Sequence, residues 1–529
     1  MNKFFQYKYN KNAGRVLAAT LVISASLMSC SKYTELTPKD RLGESSIFTD
    51  STNVELALNG VYNNAAVGSY ADSYSSGRGY PFGAASIEQA EMRGEDMVNL
   101  ATFYDITYRS VITTTSANNV AMWVNLYALI NQANVFIEGA QLAQKNGIIS
   151  DAKEKQVEAE ARFLRALAHH EAVLNFSRPY ADNSGATPGI PYRDVAINSV
   201  AKTEAALKVS RGTVKETYTK ILADLDWAEQ NIGDGKASIN KVSKGAIIAL
   251  KSRIKLHMAD YAGVIAEATK LGANLTSPVS PIGNYKLEAL PETVFANNEI
   301  NSESIFSIAN SILANGGTNG ALAPMFGPGS VGARGLVSMS PNLYSASWWV
   351  AGDRRRDKMT IKGGDGRMYS AKFTKYVDKS DWAPIVRYAE VLLNAAEAYS
   401  RTGNASQALT LLNVVRDRSV PAAASYSKVP PADLTLAILR ERRIEFFSEG
   451  RRWPDIHRLA FDATYGFNGI PGKVPVGDAV AANFVAGAGI YITPKVDAIP
   501  YTDYRYVWPF PNSEVIANPT LKAEQNPGY

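Results

Sequence analysis

A single cysteine, Cys30, stands near the start of this 529-residue chain and no other thiol follows it. No disulfide can brace what forms downstream, so the body must be held by packing alone. What the chain offers for packing is helical periodicity. In "WVNLYALINQANVFIEGA", Trp123, Leu126, Tyr127, Ile130 and Ile137 recur at helical spacing, which puts them on one face. "VEAEARFLRALAHHEAVLNF" repeats the pattern with Val157, Ala161, Leu164, Leu167 and Leu174, and stops before Pro179. Further helices are predicted over 212–231 and 241–258, the latter leading through Asp260 into a partner that begins at Tyr261. Another pair runs from Ile385 to Arg401, turns at Gly403 and Asn404, and resumes from Ala405 to Arg418. Ala246, Ala249, Ala395 and Ala398 let helix axes approach closely, as tetratricopeptide-like antiparallel pairs require. The expected fold is mainly α, a degenerate helix-pair solenoid.

The leader carries Lys3, Lys8, Lys11 and Arg15 and no acidic residue, followed by an apolar run from Val16 to Leu27. That run is shorter than the ~20 residues of a spanning helix and reads as an export signal. The stretch Leu27-Met28-Ser29-Cys30 resembles the lipobox of bacterial lipoproteins. The resemblance implies acylation of Cys30, removal of residues 1–29 and a mature chain tethered to a membrane by lipid. Removing the leader lowers the formal charge from +5 to about +1, and the remaining Lys and Arg are interspersed with Asp and Glu, which argues against a nucleic-acid partner. No later segment has 18 apolar residues in a row, so no membrane-spanning helix is expected.

The expected layout is a signal over 1–29, a linker over 30–47, and one body over 48–529. Helical repeats occupy 48–271 together with 381–458. The intervening 272–380 and the terminal 459–529 are rich in loops and short strand-like runs such as "SESIFSIA". Loops borne on a rigid scaffold are where binding groups concentrate.

Enzyme signatures fail one by one. The four histidines are His169, His170, His257 and His457. His170-Glu171 is followed by Leu174 where a zinc protease needs a second histidine. Gly327, Gly329 and Gly332 satisfy G-x-G-x-x-G, but Pro328 sits inside the match and no strand leads into it. Ser330 lacks the glycine two positions earlier that a nucleophile elbow needs. Arg440, Glu441, Arg442, Arg443, Glu445 and Glu449 could hold a catalytic carboxylate pair, but arginines so close favour ionised glutamates, and structural ion pairing is the expected role. Arg387, Glu390 and Glu397 read the same way. The chain calls for no catalytic residue, metal or cofactor.

Three segments carry a family resemblance: "WAPIVRYAEVLLNAAEAYSRTG" (382–403), "LRERRIEFFSEGRRWPDIHRL" (439–459) and the terminal "WPFPNSEVIANPTLKAEQNPGY" (508–529). "AEARFLRAL" at 159–167, "NSESIF" at 301–306 and "GDRRRDK" at 352–358 agree. In this order the set resembles the SusD/RagB family. The resemblance implies four tetratricopeptide-like helix pairs decorated by loops, and a cell-surface outer-membrane lipoprotein. Such a protein captures an oligosaccharide and hands it to a TonB-dependent SusC-like transporter. Two alternatives stand beside it: peptide capture of the RagB kind, and a helical scaffold without a small ligand.

Sugars present hydroxyl edges and apolar C–H faces, so candidate contacts are loop aromatics flanked by polar groups. The family resemblance points to the loop after the first helices and to the insertion after "NSESIF". In the first, Tyr70, Tyr74, Tyr80, Phe82, Phe103 and Tyr104 are the candidates, with Asp96 and Asn99. In the second, they are Asn319, Met325, Phe326, Arg334, Trp348 and Trp349. Any of these aromatics could instead pack beneath the loops.

Overall fold

In the computed structural model, the described residues are 47–68, 79–233, 235 and 238–529. The leader, Cys30 and the linker as far as residue 46 lie outside them. The principal helices are α1 (Ser51–Val67), α2 (Ala84–Arg93), α3 (Thr102–Tyr108), α4 (Ala117–Lys145), α5 (Asp151–Phe176), α6 (Val214–Asn231), α7 (Lys244–His257), α8 (Tyr261–Lys270), α9 (Tyr388–Arg401), α10 (Ala405–Arg416), α11 (Leu434–Glu445) and α12 (Arg452–Arg458). The fold is mainly α, with a few short strands.

Caps set where the paired helices begin. The side chains of Ser150, Ser243, Asp260, Asn404 and Asp433 each accept a backbone N–H of the first turn that follows. Thr213 and Glu216 form a reciprocal capping box at the start of α6. Each device satisfies an N–H the helix cannot. The helices then pack in succession, α4 on α5, α5 on α6, α6 on α7, α7 on α8, α8 on α9, and α9 on both α10 and α11. Ala246, Ala249, Ala395 and Ala398 are all buried in these contacts. With 29 residues, α4 is long and apolar enough to cross a bilayer, but Leu126, Leu129, Ile130 and Ala133 are buried within the body.

One boundary differs from the sequence reading. Ile385–Arg387 is not the first turn of a helix but the end of β6 (Ala383–Arg387), which pairs antiparallel with β2 (Ser304–Ile308). Pro384 and two β-branched residues favour the extended form, and α9 starts directly at Tyr388. Three more two-stranded ladders join β1 (Met97–Asn99) to β3 (Val337–Met339), β4 (Thr360–Lys362) to β5 (Met368–Ser370), and β7 (Gly469–Ile470) to β8 (Ile499–Pro500).

The segments that carry the family resemblance in the sequence meet in a buried ion network. Arg387, at the end of β6, binds Glu303, Glu445 (3.0 Å) and Glu449 (2.8 Å). Glu445 also takes Arg418 (2.7 Å) and Arg355 (2.9 Å), and Glu303 takes Arg418. Arg355 reaches Asp353 (2.8 Å) and Glu441 (2.5 Å), Glu441 takes Arg416 (2.9 Å), and Lys372 holds Glu449 (2.6 Å). Five cations thus face five carboxylates, nearly all out of reach of water. Although burial opposes charge, Arg418, Arg387 and Arg355 hold the Glu445 carboxyl far below the usual carboxylate range. A second cluster, Arg442–Asp455–Arg458–Glu397, fixes α12 against α9 and α11.

The terminal segment works as a clasp. Asn526 donates to the Phe176 and Trp508 carbonyls (2.9 and 2.7 Å) and accepts from Arg211 (2.9 Å). Gln525 bonds both the N–H and the carbonyl of Phe510. Gly528 has φ +90°, and a Cβ there would lie 2.5 Å from the Tyr504 ring, so only glycine lets the chain close over it.

Removing one member of a buried ion cluster strands the others. Glu445→Gln is expected to cost about 3–5 kcal/mol of unfolding free energy in urea titrations. Lys155→Ala, which cuts the exposed Lys155–Asp151 pair, should leave the midpoint nearly unmoved.

Candidate functional site

The β1–β3 ladder does more than pair two short strands. Asn99 aligns with Val337, and Leu100 N–H donates to the Leu336 carbonyl (2.8 Å), so α3 emerges beside the loop that carries Arg334. That loop is itself fixed, because Arg334 N–H donates to the Pro324 carbonyl (2.9 Å) and Gly335 N–H to that of Gly327 (3.0 Å). On the other side, Ala84 N–H, at the start of α2, donates to the Gly320 carbonyl (3.2 Å). A Cβ on Gly79 would come within 2.4 Å of that same carbonyl oxygen, so glycine is what admits the close approach of the 316–321 loop.

These contacts enclose a cavity of about 200 Å3 lined by Tyr80, Ala85, Phe103, Tyr104, Asn118, Asn319 and Arg334. Phe103 is 38% exposed and sits 4.4 Å from Tyr104, ring centre to ring centre, with the rings inclined at 49°. Asn118 donates to the Phe103 carbonyl (3.1 Å), fixing the backbone that presents the ring. The Arg334 guanidinium lies 5.5 Å from the Phe103 ring centre and reaches the Met325 sulfur at 3.5 Å. Gln89 donates to the Tyr80 hydroxyl (3.2 Å) and accepts from Thr107, which ties the aromatic wall to α2 and α3.

Behind that wall lies Glu88, fully buried. Burial pushes its carboxyl up to about 8, against the opposing pull of the nearby Tyr104 hydroxyl and the charge of Arg334. Burial and Glu88 together raise the Tyr104 phenol well above its ordinary range. The cavity at neutral pH is therefore a polar, aromatic hollow with one positive charge in its lining.

Five of the sequence candidates meet here: Tyr80, Phe103, Tyr104, Asn319 and Arg334. Tyr70 and Tyr74 lie outside the described residues. The others face elsewhere. Asp96 is committed to Arg443 and lies near Arg452, within the interior, and Asn99 uses its amide on the Ala101 backbone. Phe82, Met325 and Phe326 are core residues, Phe326 packing near Phe373. Trp349 is fully buried against Phe447 and Arg356. Trp348 is half-buried between Arg440 and Arg443. Adjacent tryptophans point to different surroundings, so the pair cannot form one platform. Sequence reasoning missed Asn118, one of several asparagines on α4 with nothing in the sequence to single it out, and Ala85.

The histidines are interior residues. His169 stacks on Tyr192 (3.9 Å), His170 meets His257 edge-on (4.9 Å), and burial holds the His169 and His457 rings down to about 3. The G-x-G-x-x-G segment forms a short 3-10 turn at Gly329–Val331 rather than the strand-to-helix turn of a dinucleotide loop. A larger hollow of about 530 Å3 between α4, α5 and α6 is lined by Arg162, Arg165 and Asp224. Those groups already pair with one another.

Two family models match this chain, one described as the SusD family over residues 355–529 and one as starch-binding associating with the outer membrane over residues 45–256. The chain belongs to the SusD/RagB family. SusD-like protein P2 of Formosa agariphila is 25% identical over 96% of this chain and 98% of its own length. SusD-like protein P38 of the same organism is 23% identical over 83% and 90%. Among solved structures, a SusD superfamily protein from Bacteroides fragilis superposes with a TM-score of 0.72 at 26% identity, covering 90% of this chain and 99% of that one. A laminarin-binding SusD-like protein shares the fold, with a TM-score of 0.65 at 18% identity over 91% of this chain and all of that one.

Because Glu88 keeps its proton in the folded state up to about pH 8 but gives it up near pH 4.5 when unfolded, it favours folding less and less as pH rises through that window. Glu88→Gln cannot ionise. Its melting temperature relative to wild type is expected to climb between pH 5 and pH 9, read by differential scanning calorimetry.

Proposed function

We propose that this protein is a surface lipoprotein that captures an oligosaccharide in the Tyr80–Phe103–Arg334 cavity and passes it to a TonB-dependent, SusC-like transporter. The observation that carries the reading is convergence: side chains from two loops more than 200 residues apart in sequence line one aromatic hollow, and both loops were candidates for sugar contact. A half-exposed phenyl face beside amide, phenol and guanidinium groups is the combination a pyranose requires, apolar on one side and hydroxylated on its edges. The volume is below the roughly 300–1,000 Å3 typical of pockets that enclose a drug-sized ligand, so the cavity takes one sugar unit while the rest of the chain lies outside. The laminarin-binding relative supports a saccharide ligand in this fold, and the outer-membrane association of the matching family agrees with the Cys30 leader.

In this reading residues 1–29 are a cleaved signal, 30–47 a linker, and the lipid on Cys30 the anchor. Cys30→Ser should move the protein from the membrane pellet to the soluble or secreted fraction on cell fractionation. Retention in the outer membrane would remove the anchor from the proposal.

The ligand site is tested by calorimetry and thermal shift against oligosaccharides and short peptides. A glycan is expected to raise the melting temperature of the wild type, and Phe103→Ala to weaken that binding about tenfold, the stacking contribution of one ring, with little change in the unliganded melting temperature. Stabilisation by peptides alone would overturn the saccharide reading.

A further inference from the structure

Among the described residues most arginines are spoken for, by carboxylates or, as with Arg93, Arg178, Arg193, Arg211 and Arg356, by backbone carbonyls. Arg253, Arg355, Arg387, Arg416, Arg418, Arg442, Arg443, Arg452 and Arg458 each have a carboxylate within salt-bridge distance. Arg334 makes no such pair among the described residues. Its guanidinium rests near the Phe103 ring and against the Met325 sulfur, neither of which neutralises it. It is also the one charged side chain in the cavity lining. The backbone that carries it is anchored on both sides, at Pro324 and Gly327, so the charge is presented from a fixed point.

Resting on the reading of this cavity as a saccharide site, we propose that it selects an acidic oligosaccharide, with Arg334 pairing with a carboxylate or sulfate ester on the sugar unit that lies against Phe103. A guanidinium offers two parallel N–H donors to either anion, and such charge-assisted pairs are the strong and directional ones. The aromatic neighbour serves the same end. A sugar face stacked on Phe103 holds its ring substituents at the rim, where Arg334 stands. The nearest acid behind the wall does not cancel the charge. Glu88 is fully buried, separated from the hollow by Tyr104, and its carboxyl retains its proton at neutral pH. Asn319, exposed and without a side-chain hydrogen bond among the described residues, is left for hydroxyls. Neutral glycans would gain the stacking and the hydrogen bonds to their hydroxyls but no ion pair.

The experiment is a glycan array probed with the full chain. It presents uronic-acid oligosaccharides beside their carboxyl-reduced forms, sulfated ones beside their desulfated forms, and oligoglutamate, with hits quantified by calorimetry. Acidic members are expected to bind about tenfold or more tightly than their neutral counterparts, and Arg334→Gln to erase that preference; Arg334→Lys should restore part of it. The uronate and sulfate arms identify the anion. Neutral glycans that bind as tightly as acidic ones, or a preference that survives in Arg334→Gln, would overturn acid selection while a loss of binding in Phe103→Ala would leave the saccharide site standing. Absence of any glycan binding, or a preference for oligoglutamate, would overturn both.

Discussion

The structure hangs on the pairing of Arg387 with Glu303, Glu445 and Glu449. Removing ten charged groups from water is expensive, and buried ion pairs are often worth no more than well-packed apolar residues in their place. What they impose is mutual dependence. Arg387 ends a strand, Glu303 precedes its partner strand, Glu445 closes α11, and Arg355 and Lys372 belong to the inserted region. Each segment must reach its place for the charges to balance, so the network sets the register between the helical repeats and the irregular insertion. An apolar core tolerates sliding, whereas a guanidinium between three carboxylates does not.

That rigidity is what allows loops to form a site. Asp96, immediately before β1, is fixed by Arg443 of α11. The same stretch of chain pairs with β3, and the strand pairing brings Phe103 and Arg334 to one place. A line of contacts therefore runs from the charged interior, through a three-residue ladder, to the cavity wall. Asp96 looked like a ligand contact in the sequence because it is an acid near aromatics in a loop. Its role is instead to hold the strand that presents the aromatics.

The helices were readable in advance because periodicity is local, and the caps the structure adds are local too. Ser150, Ser243, Asp260 and Asn404 stand in the sequence where the helices begin, and the spacing of Leu126, Ile130 and Ile137 announces a buried face. The strand at Ala383–Arg387 was missed because its partner lies some 80 residues upstream, and the local preference of Pro384, Ile385 and Val386 for extended backbone is weak beside the helical pattern that follows directly. The site was half legible for the same reason. A loop aromatic carries no local sign of its direction. Trp348 and Trp349 are neighbours of identical type, yet one is sealed against Phe447 and the other lies between two arginines. Tyr80, Phe103 and Tyr104 became a site only through the approach of a loop more than 200 residues away.

The contrast between Arg387 and Arg334 follows from what surrounds each. Where carboxylates converge, burial strengthens every attraction and the charge is consumed in holding the fold. Where a guanidinium is exposed and flanked by a phenyl ring, a thioether and a protonated acid behind a phenol, no ionised partner claims it. The same side chain thus serves structure in one place and, in the proposed reading, recognition in the other. What divides the two roles is the presence of an ionised partner, which the arginines in the sequence do not reveal and which the arrangement of Glu88, Tyr104 and Arg334 does.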